Sequence, residues 1–320
     1  MTAYDVFNGD ADGLCALRQL RLDDPRKTEL VTGVKRDIAL LSRVQARHGD
    51  RLVVLDVSLH ENRAALQRAL QAGASCLYFD HHYAGDIPVH PLLEARIRYA
   101  PDTCTSLLVD EYLGGRWRKW AVTAAFGDNL PGPAAQAAAV LGLAPGQVET
   151  LEQVGRLLNY NAYGESVEEL HYRPDELYRI LQRYDDPLEF ARLDPALDRL
   201  ACGWRDDMAC ARAVQPMVDT PSHVLVVLPD AAWARRVSGP WANELASRSA
   251  TRAVAVAVAT SRGYTVSVRA PAARPHGADV LARHFASGGG RPGAAGINTL
   301  PQADLERFAA LFQRSFGPAD

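Results

Sequence analysis

The stretch Cys76-Leu-Tyr-Phe-Asp-His-His-Tyr83 joins a short apolar run to an acid and two imidazoles. The run from Ser75 to Phe79 is typical of a buried parallel strand. Asp80, His81 and His82 would then emerge at the carboxyl end of that strand, which is where open α/β sheets bind their ligands. These side chains can bind a metal ion or move a proton. The stretch therefore predicts a functional site at one edge of a parallel sheet.

Two other apolar runs end in acids. Tyr4 to Phe7 leads into Asn8-Gly-Asp10-Ala-Asp12-Gly13, and Leu52 to Leu55 leads into Asp56. If these strands lie beside the first, four carboxylates converge and repel one another, since like charges raise each other's pKa. This predicts a bound cation, and carboxylate and imidazole ligands suit Mn²⁺, Mg²⁺ or Zn²⁺. The alternative for Asp10 and Asp12 is a turn that caps the following helix.

Together these motifs resemble those of the DHH phosphoesterase superfamily. The resemblance extends to Asp128, and near the carboxyl end Gly288-Gly-Gly-Arg291-Pro-Gly-Ala-Ala-Gly296 is similar to the glycine motif of the accompanying DHHA1 domain. It spans nearly the whole chain, with the motifs in the family's order. The resemblance implies an α/β fold, in which a parallel-sheet DHH domain with flanking helices faces a smaller mixed α/β DHHA1 domain across a cleft.

The resemblance also assigns roles to individual residues. The implied metal ligands are Asp10, Asp12, Asp56, His81 and Asp128. Asp56 is expected to bridge two ions. The predicted catalytic residues are Asp80, which would orient a histidine, and His82, which would contact the scissile phosphate. The alternative for the two histidines is a pair of loop residues with local hydrogen bonds.

Two positions depart from the family pattern. Asn8 stands where a histidine of the first metal site is usual, and an amide oxygen is a weaker ligand than imidazole for transition metals. Asn8 is therefore predicted to be a weak ligand, and the expected cofactor is one or two ions of Mn²⁺ or Mg²⁺. Arg291 also replaces a histidine, and arginine can bind a phosphate through two parallel hydrogen bonds.

The carboxyl-terminal motif is expected to bind substrate, because consecutive glycines let backbone N–H groups approach a phosphate closely. The predicted substrate-binding residues are Gly288, Gly289, Gly290, Arg291, Arg269 and His284. The alternative is a flexible glycine loop with a solvated arginine, and for His284 a surface position.

With 320 residues the chain is long enough for two domains. We expect a metal-binding catalytic domain with a helical connector over residues 1–215 and a substrate-binding domain over 222–320. Alternating strands and helices in the first part predict a mostly parallel sheet. Within it, Asp37 to Arg47 is predicted to be helical, with Ile38 facing inward. The glycine motif is predicted to be a loop after a helix that ends at Phe285.

The net charge of −3 argues against a wide electrostatic footprint on long nucleic acid and favours a small anionic ligand. Five scattered cysteines without a Cys-x-x-Cys pair are typical of reduced core thiols. No signal-like amino terminus is visible, and no apolar stretch approaches about 18 residues. We therefore expect a cytoplasmic protein without a membrane partner, and a homodimer is left open.

The resemblance implies a metal-dependent phosphodiesterase in which cations polarise the phosphoryl oxygens and make hydroxide available. The variants Asn8 and Arg291 are most similar to members that hydrolyse linear pGpG to mononucleotides. The enzymatic alternatives are a cyclic-dinucleotide phosphodiesterase, a short-RNA exonuclease, and a polyphosphatase or pyrophosphatase. A polyphosphatase or pyrophosphatase would need a strongly basic second domain. A degenerate nucleotide sensor is the remaining alternative, and the number of clustered acids argues against it.

Overall fold

The chain divides into two compact units, Met1–Cys202 and Gly203–Asp320, in the computed structural model, which describes residues 1–317. The division falls within a long helix, Pro195–Ala213. None of the helices in the described residues combines the length and the apolar character that crossing a bilayer requires.

A five-stranded sheet forms the centre of the first unit. Its strands are β1 (Ala3–Asn8), β2 (Glu29–Gly33), β3 (Arg51–Leu55), β4 (Ser75–Asp80) and β5 (Leu93–Ile97). The spatial order is β2-β1-β3-β4-β5, and every pairing is parallel. The carboxyl ends of β1, β3 and β4 therefore lie side by side, and the predicted parallel α/β sheet is confirmed.

Helices surround this sheet and account for most of the rest of the first unit. They are α1 (Ala11–Asp23), α2 (Leu59–Gln71), α3 (Thr105–Tyr112), α4 (Arg118–Gly127), α5 (Pro131–Val140), α6 (Pro145–Asn161), α7 (Pro174–Leu181), α8 (Pro187–Leu193) and α9 (Pro195–Ala213). Helix α1 is buried from Ala11 to Arg21. Arg21 within it forms a buried, two-point ion pair with Asp5 of β1, at 2.5 and 2.9 Å. This pair ties α1 to the sheet.

The second unit is a smaller mixed α/β fold, as predicted. Its strands are β6 (Val218–Asp219), β7 (His223–Leu228), β8 (Ala253–Thr260), β9 (Gly263–Arg269), β10 (Gly288–Arg291) and β11 (Ala294–Leu300), and its helices are α10 (Ala232–Ser247), α11 (Ala278–Ala282) and α12 (Leu305–Phe316). The strand order is β10-β11-β9-β8-β7-β6. Phe308, Phe312 and Phe316 recur every four residues on α12, and all three are buried in the core of this unit.

The helix predicted from Asp37 to Arg47 is wrong. Only one 3-10 turn, Leu40–Arg43, forms there, and Ile38 is exposed. The side chain of Asn62 takes the backbone groups that a helix would use, since it donates to the carbonyl of Ile38 at 2.6 Å and accepts from the N–H of Leu41 at 3.0 Å. A distant side chain thus replaces the helical hydrogen bonds.

The glycine motif is a strand and not the loop that the sequence predicts. Residues Gly288–Arg291 form β10, which pairs antiparallel with β11. A β carbon at Gly288 would lie 1.8 Å from the carbonyl oxygen of Ala282, and Gly290 has a φ of +142°. The glycines therefore permit a tight hairpin against α11. The preceding helix ends at Ala282, short of the predicted Phe285.

The prediction that all five cysteines are core residues is wrong. Cys15, Cys76 and Cys104 are buried, whereas Cys202 and Cys210 are exposed. The exposed pair lies on α9.

Candidate metal centre

The predicted site residues of the first unit lie at the carboxyl edge of the parallel sheet. Asp10 and Asp12 follow β1, Asp56 follows β3, and His81 follows β4. Asp128 comes from elsewhere, because it is the residue that ends helix α4. Side chains that are far apart in the sequence are thus brought to one edge by the strand order β1-β3-β4.

His81 is the centre of this cluster. Its Nδ1 lies 3.0 Å from the carbonyl oxygen of Thr103, so Nδ1 carries the proton and donates to that oxygen. The lone pair is therefore on Nε2, which lies 3.4 Å from Asp56 Oδ1, 3.8 Å from Asp128 Oδ2 and 3.9 Å from Asp12 Oδ2. One imidazole nitrogen and three carboxylates face the same small volume.

The spacing of these atoms fits a divalent ion. Two ligand atoms that are each about 2.1 Å from an ion lie about 3.0 Å apart at an octahedral angle and about 3.4 Å apart at a tetrahedral one. Asp12, His81 and Asp128 offer ligand atoms within 4.8 Å of one another, and so do Asp56, His81 and His82. The two groups share His81, so they describe one centre. Oxygen and imidazole donors without thiolate suit Mn²⁺ or Mg²⁺.

Asp56 is held in an unusual backbone conformation. Its φ is +58°, which few non-glycine residues adopt, although aspartate tolerates it better than most. Burial raises the pKa of Asp56 well above its ordinary value, and the charges of Asp10, Asp12 and Asp128 raise it further. The fold thus holds the Asp56 carboxylate in a strained backbone conformation and against the repulsion of three other carboxylates. This indicates that a positively charged ligand lies beside it.

Asp12 joins the centre to helix α3. Its Oδ2 accepts the backbone N–H of Thr105 and its Oδ1 accepts that of Ser106, each at 2.7 Å. These are free N–H groups at the amino end of α3, where the helix dipole favours an anion. The hydroxyl of Thr105 also donates to Asp56 Oδ1 at 3.1 Å. Helix α3 therefore orients two of the carboxylates, and the sequence analysis assigned no role to Thr105 or Ser106.

Asp80 orients His82 and not His81. Asp80 Oδ1 lies 2.7 Å from His82 Nδ1, and Asp80 is fully buried. Burial by itself lowers the pKa of His82, but the hydrogen bond and the charge of Asp80 outweigh it and raise that pKa above its ordinary value. His82 is half exposed, with 46% of its side chain accessible. The pair places an imidazole that is oriented by a buried carboxylate at the edge of the centre.

Asn8 and Asp10 have their polar atoms engaged by other groups. Asn8 Oδ1 accepts the N–H of Asp10 at 3.2 Å, and Asn8 Nδ2 donates to the carbonyl oxygen of Lys35 at 3.3 Å. Asp10 Oδ1 caps α1 by accepting the N–H groups of Asp12 and Gly13, at 3.0 and 3.1 Å. The capping alternative that the sequence left open is therefore realised at Asp10.

Lys35 is a candidate functional residue that the sequence motifs did not indicate. Its ammonium lies 2.5 Å from Asp10 Oδ2 and 3.5 Å from Asp128 Oδ1. Burial by itself raises the pKa of Asp10, but this ammonium outweighs it and lowers the pKa to about 2. In the sequence, Lys35 could be recognised by its position two residues after the strand that ends at Gly33. A lysine there reaches the same sheet edge as Asp10.

The predicted substrate-binding residues lie in the second unit. Arg269 ends β9 and donates through Nε to Asn243 Oδ1 at 2.7 Å. Arg291 ends β10, and both Arg291 and His284 are exposed. Arg269 is paired with Ala294 across β9 and β11, and Ala294 is paired with Arg291 across β11 and β10. Directly paired residues project from the same face, so the two arginines flank one alanine on a single face of the sheet.

The fold and this centre define the class of the molecule: a two-unit α/β protein with an acid and histidine cluster at a parallel sheet edge. No family model and no curated protein sequence matches the chain. Solved structures do match. The exonuclease RecJ bound to manganese has a TM-score of 0.61 and 18% identity, and the match covers 98% of this chain and 89% of that one.

Two further structures have the same fold. The pGpG-specific phosphodiesterase PggH from Vibrio cholerae has a TM-score of 0.55 and 15% identity, with 98% of each chain covered. An exopolyphosphatase-related protein from Bacteroides fragilis has a TM-score of 0.50 and 12% identity, with 98% and 91% covered. Similarities at this level of identity establish the fold. It agrees with the two-domain α/β fold that the sequence motifs predicted.

Proposed function

We propose that the protein is a divalent-metal-dependent phosphodiesterase that hydrolyses short linear dinucleotides such as pGpG to mononucleotides. The observation that carries the proposal is the orientation of His81, whose free Nε2 faces the carboxylates of Asp12, Asp56 and Asp128. Structures of the same fold include a manganese-bound exonuclease and a pGpG-specific phosphodiesterase, which supports both the metal and the reaction class.

A bound divalent ion would supply Lewis acidity, which draws electron density from a phosphoryl oxygen and makes water easier to deprotonate. The chain's own residues position the reactants. Asp12, Asp56, His81 and Asp128 would hold the ion, and His82, oriented by Asp80, would contact a phosphoryl oxygen. In the hydrolysis a bond forms from water oxygen to phosphorus, the phosphorus bond to the 3′ oxygen breaks, and that oxygen gains a proton.

The surroundings of the centre suit a nucleotide. The cleft in front of it has a volume of about 370 Å³, within the range of small-molecule sites (about 300–1,000 Å³). Tyr83 on its wall is 62% exposed, and its ring lies 5.5 Å from that of His60 and 6.4 Å from that of Tyr99. An exposed aromatic group of this kind can stack on a base without reading its identity.

The paired arginines of the second unit support an anionic substrate. Arg269 and Arg291 are two strands apart, so their Cα atoms are separated by about 10 Å, with the small side chain of Ala294 between them. Two guanidinium groups over one alanine can bind a phosphate from both sides. The chain's net charge of −3 agrees with a few local cations for a small ligand and not with a surface for long nucleic acid.

The test is a substrate panel after metal removal. The protein is treated with EDTA, supplied with Mn²⁺, and offered pGpG, other dinucleotides, a five-nucleotide RNA, cyclic di-AMP and polyphosphate. We expect hydrolysis of the linear dinucleotides and none without metal. Asp56→Asn should abolish turnover, whereas Asp198→Asn, the same change at an exposed position on α9, should leave it unchanged. Hydrolysis of polyphosphate in place of dinucleotides, or binding without product, would refute the proposal.

The role of the second unit is tested separately. Arg291→Gln and Arg269→Gln should each raise KM about 10- to 100-fold, the loss of one charge-assisted phosphate contact, with little change in kcat. Arg262→Gln is the matched control, because Arg262 is exposed on the turn between β8 and β9. If all three variants had the same KM as the original protein, the phosphate-binding role of the arginine pair would be wrong.

A further inference from the structure

Lys35 lies where a cation of the acidic centre would be expected. It follows β2, which is paired with β1 so that Gly33 lies beside Asn8. Its backbone is fixed there, since its N–H donates to the carbonyl oxygen of Ala162 at 2.9 Å. The side chain therefore extends along the same sheet edge that carries Asp10 and Asp56, and 26% of it is exposed.

The ammonium of Lys35 is surrounded by oxygen atoms from three separate elements. They are Asp10 Oδ2 at 2.5 Å, Asn159 Oδ1 at 3.2 Å and Asp128 Oδ1 at 3.5 Å. The ring of Tyr163 adds a fourth side, with its centroid 5.8 Å away. A compact point charge surrounded by oxygen donors on several sides is the arrangement of a bound metal ion. Lysine supplies such a charge, whereas the planar guanidinium of arginine does not.

The choice of residue is notable in this chain. It contains only three lysines, Lys27, Lys35 and Lys119, against a large number of arginines. Most of its cationic surface is thus built from arginine, and a lysine stands in the centre of the acidic cluster. The one lysine side chain of this cluster places a small cation among three oxygen atoms.

The donor atoms that a second ion would need are already engaged. Both oxygens of Asp10 accept hydrogen bonds, Oδ1 from the amino end of α1 and Oδ2 from Lys35. The amide oxygen of Asn8 accepts the N–H of Asp10. Among groups of three or more histidine, cysteine, aspartate and glutamate side chains in the described residues, both with metal-binding geometry contain His81, and neither contains Asp10. The oxygens around Lys35 therefore serve the ammonium.

We propose that the Lys35 ammonium takes the place of a second divalent ion, so that the centre binds one ion per chain, held by Asp12, Asp56, His81 and Asp128. This deepens the proposed function and rests on it. One divalent ion and one ammonium supply three positive charges to the four carboxylates of Asp10, Asp12, Asp56 and Asp128. Lys35 keeps Asp10 out of the coordination shell and remains in place when the ion leaves.

The experiment counts metal ions and does not depend on turnover. Metal-free protein is equilibrated with Mn²⁺, the bound metal per chain is measured by dialysis and elemental analysis, and the low-temperature EPR spectrum is recorded. We expect one Mn²⁺ per chain and the spectrum of an isolated ion. Two ions per chain with a spin-coupled spectrum would overturn the inference while leaving the phosphodiesterase proposal intact. No bound ion would overturn both.

Lys35→Gln tests whether the ammonium excludes the second ion. The variant frees Asp10 Oδ2, so we expect its stoichiometry to rise towards two Mn²⁺ per chain. Its dinucleotide turnover should fall about 100-fold at low Mn²⁺ and recover as the second ion binds. Lys119→Gln, which removes a lysine paired with Asp186 away from the centre, should still bind one ion.

Each outcome is decisive. A Lys35→Gln variant that still binds one ion would overturn the inference, because something other than Lys35 would then limit the site. If this variant fails to fold, the stoichiometry and EPR spectrum of the unsubstituted protein decide alone. An unsubstituted protein that binds one Mn²⁺ but hydrolyses no dinucleotide would refute the proposed function and keep the single-ion centre.

Discussion

Replacing Asp12 or Asp56 by asparagine removes the same charge from the centre but disturbs different hydrogen bonds. Asp12 accepts two backbone N–H groups of α3 at 2.7 Å, one on each oxygen. An amide at this position keeps one acceptor and turns a donor towards the other N–H. Asp56 Oδ1 accepts the hydroxyl of Thr105, which an amide oxygen also accepts, and asparagine tolerates a φ of +58°. The two variants should therefore differ in stability without metal.

The magnitude follows from these contacts. A buried N–H without a partner costs about 1–3 kcal/mol, and turning the remaining charge-assisted bond into a neutral one removes about 1 kcal/mol more. Both substitutions also relieve repulsion. The facing oxygens of Asp12 and Asp128 lie within 4.8 Å, where an effective dielectric constant of about 20 gives roughly 3.5 kcal/mol. Since this relief has the same sign in both variants, we expect Asp12→Asn to be less stable than Asp56→Asn by about 2–4 kcal/mol.

The assay is urea and thermal unfolding of both variants in EDTA near neutral pH, followed by tryptophan fluorescence. The difference corresponds to a Tm that is roughly 5–10 °C lower for Asp12→Asn. Both variants should lose the stabilisation that Mn²⁺ gives to the unsubstituted protein, which is about 2.7 kcal/mol at a hundred times Kd. Equal stability of the two metal-free variants, within about 0.5 kcal/mol, would refute the role of Asp12 as the anchor of α3.

Three further predictions concern the scaffold. Asp5→Ala leaves the buried guanidinium of Arg21 without its main partner, so the free energy of unfolding should fall by about 3–5 kcal/mol in urea titrations; a loss below about 1 kcal/mol would contradict this. Burial, with the charge of a nearby arginine, lowers the pKa of His223 below its ordinary value of 6.5. As the pH falls below 6.5, the unfolded chain therefore binds a proton at His223 that the folded chain does not, so the free energy of unfolding decreases. His223→Gln should make that decrease shallower in thermal melts recorded across the pH range. Gly288→Ala places a β carbon 1.8 Å from a carbonyl oxygen of α11, so it should destabilise the β10–β11 hairpin by more than about 2 kcal/mol. The control is Gly289→Ala, whose β carbon would meet nothing within 4 Å and which should be nearly neutral in the same melt.

Much of the sheet and part of the centre could be predicted from local sequence. Apolar runs that end in acids mark parallel strands, and such strands carry their polar residues out at the carboxyl edge. Asp12, Asp56 and His81 are found together on this basis, whereas Asp128 ends helix α4 and was indicated only by the family resemblance. The same reasoning fails over Asp37 to Arg47, because the apolar spacing there favours a helix and cannot reveal that Asn62 takes the backbone groups.

Only the tertiary structure determines which charged side chain of the centre pairs with which partner. A lysine two residues after a strand is indistinguishable in sequence from a surface lysine, and Lys35 gains its position only because β2 pairs with β1. In the same way, the sequence places Asp80 beside two histidines, but the fold directs His81 to the carbonyl of Thr103 and leaves His82 for Asp80. Periodicity and turn chemistry are local properties, so they determine which residues reach the sheet edge. Which charge meets which partner there depends on distances between segments far apart in the chain, and only the packed fold sets those distances.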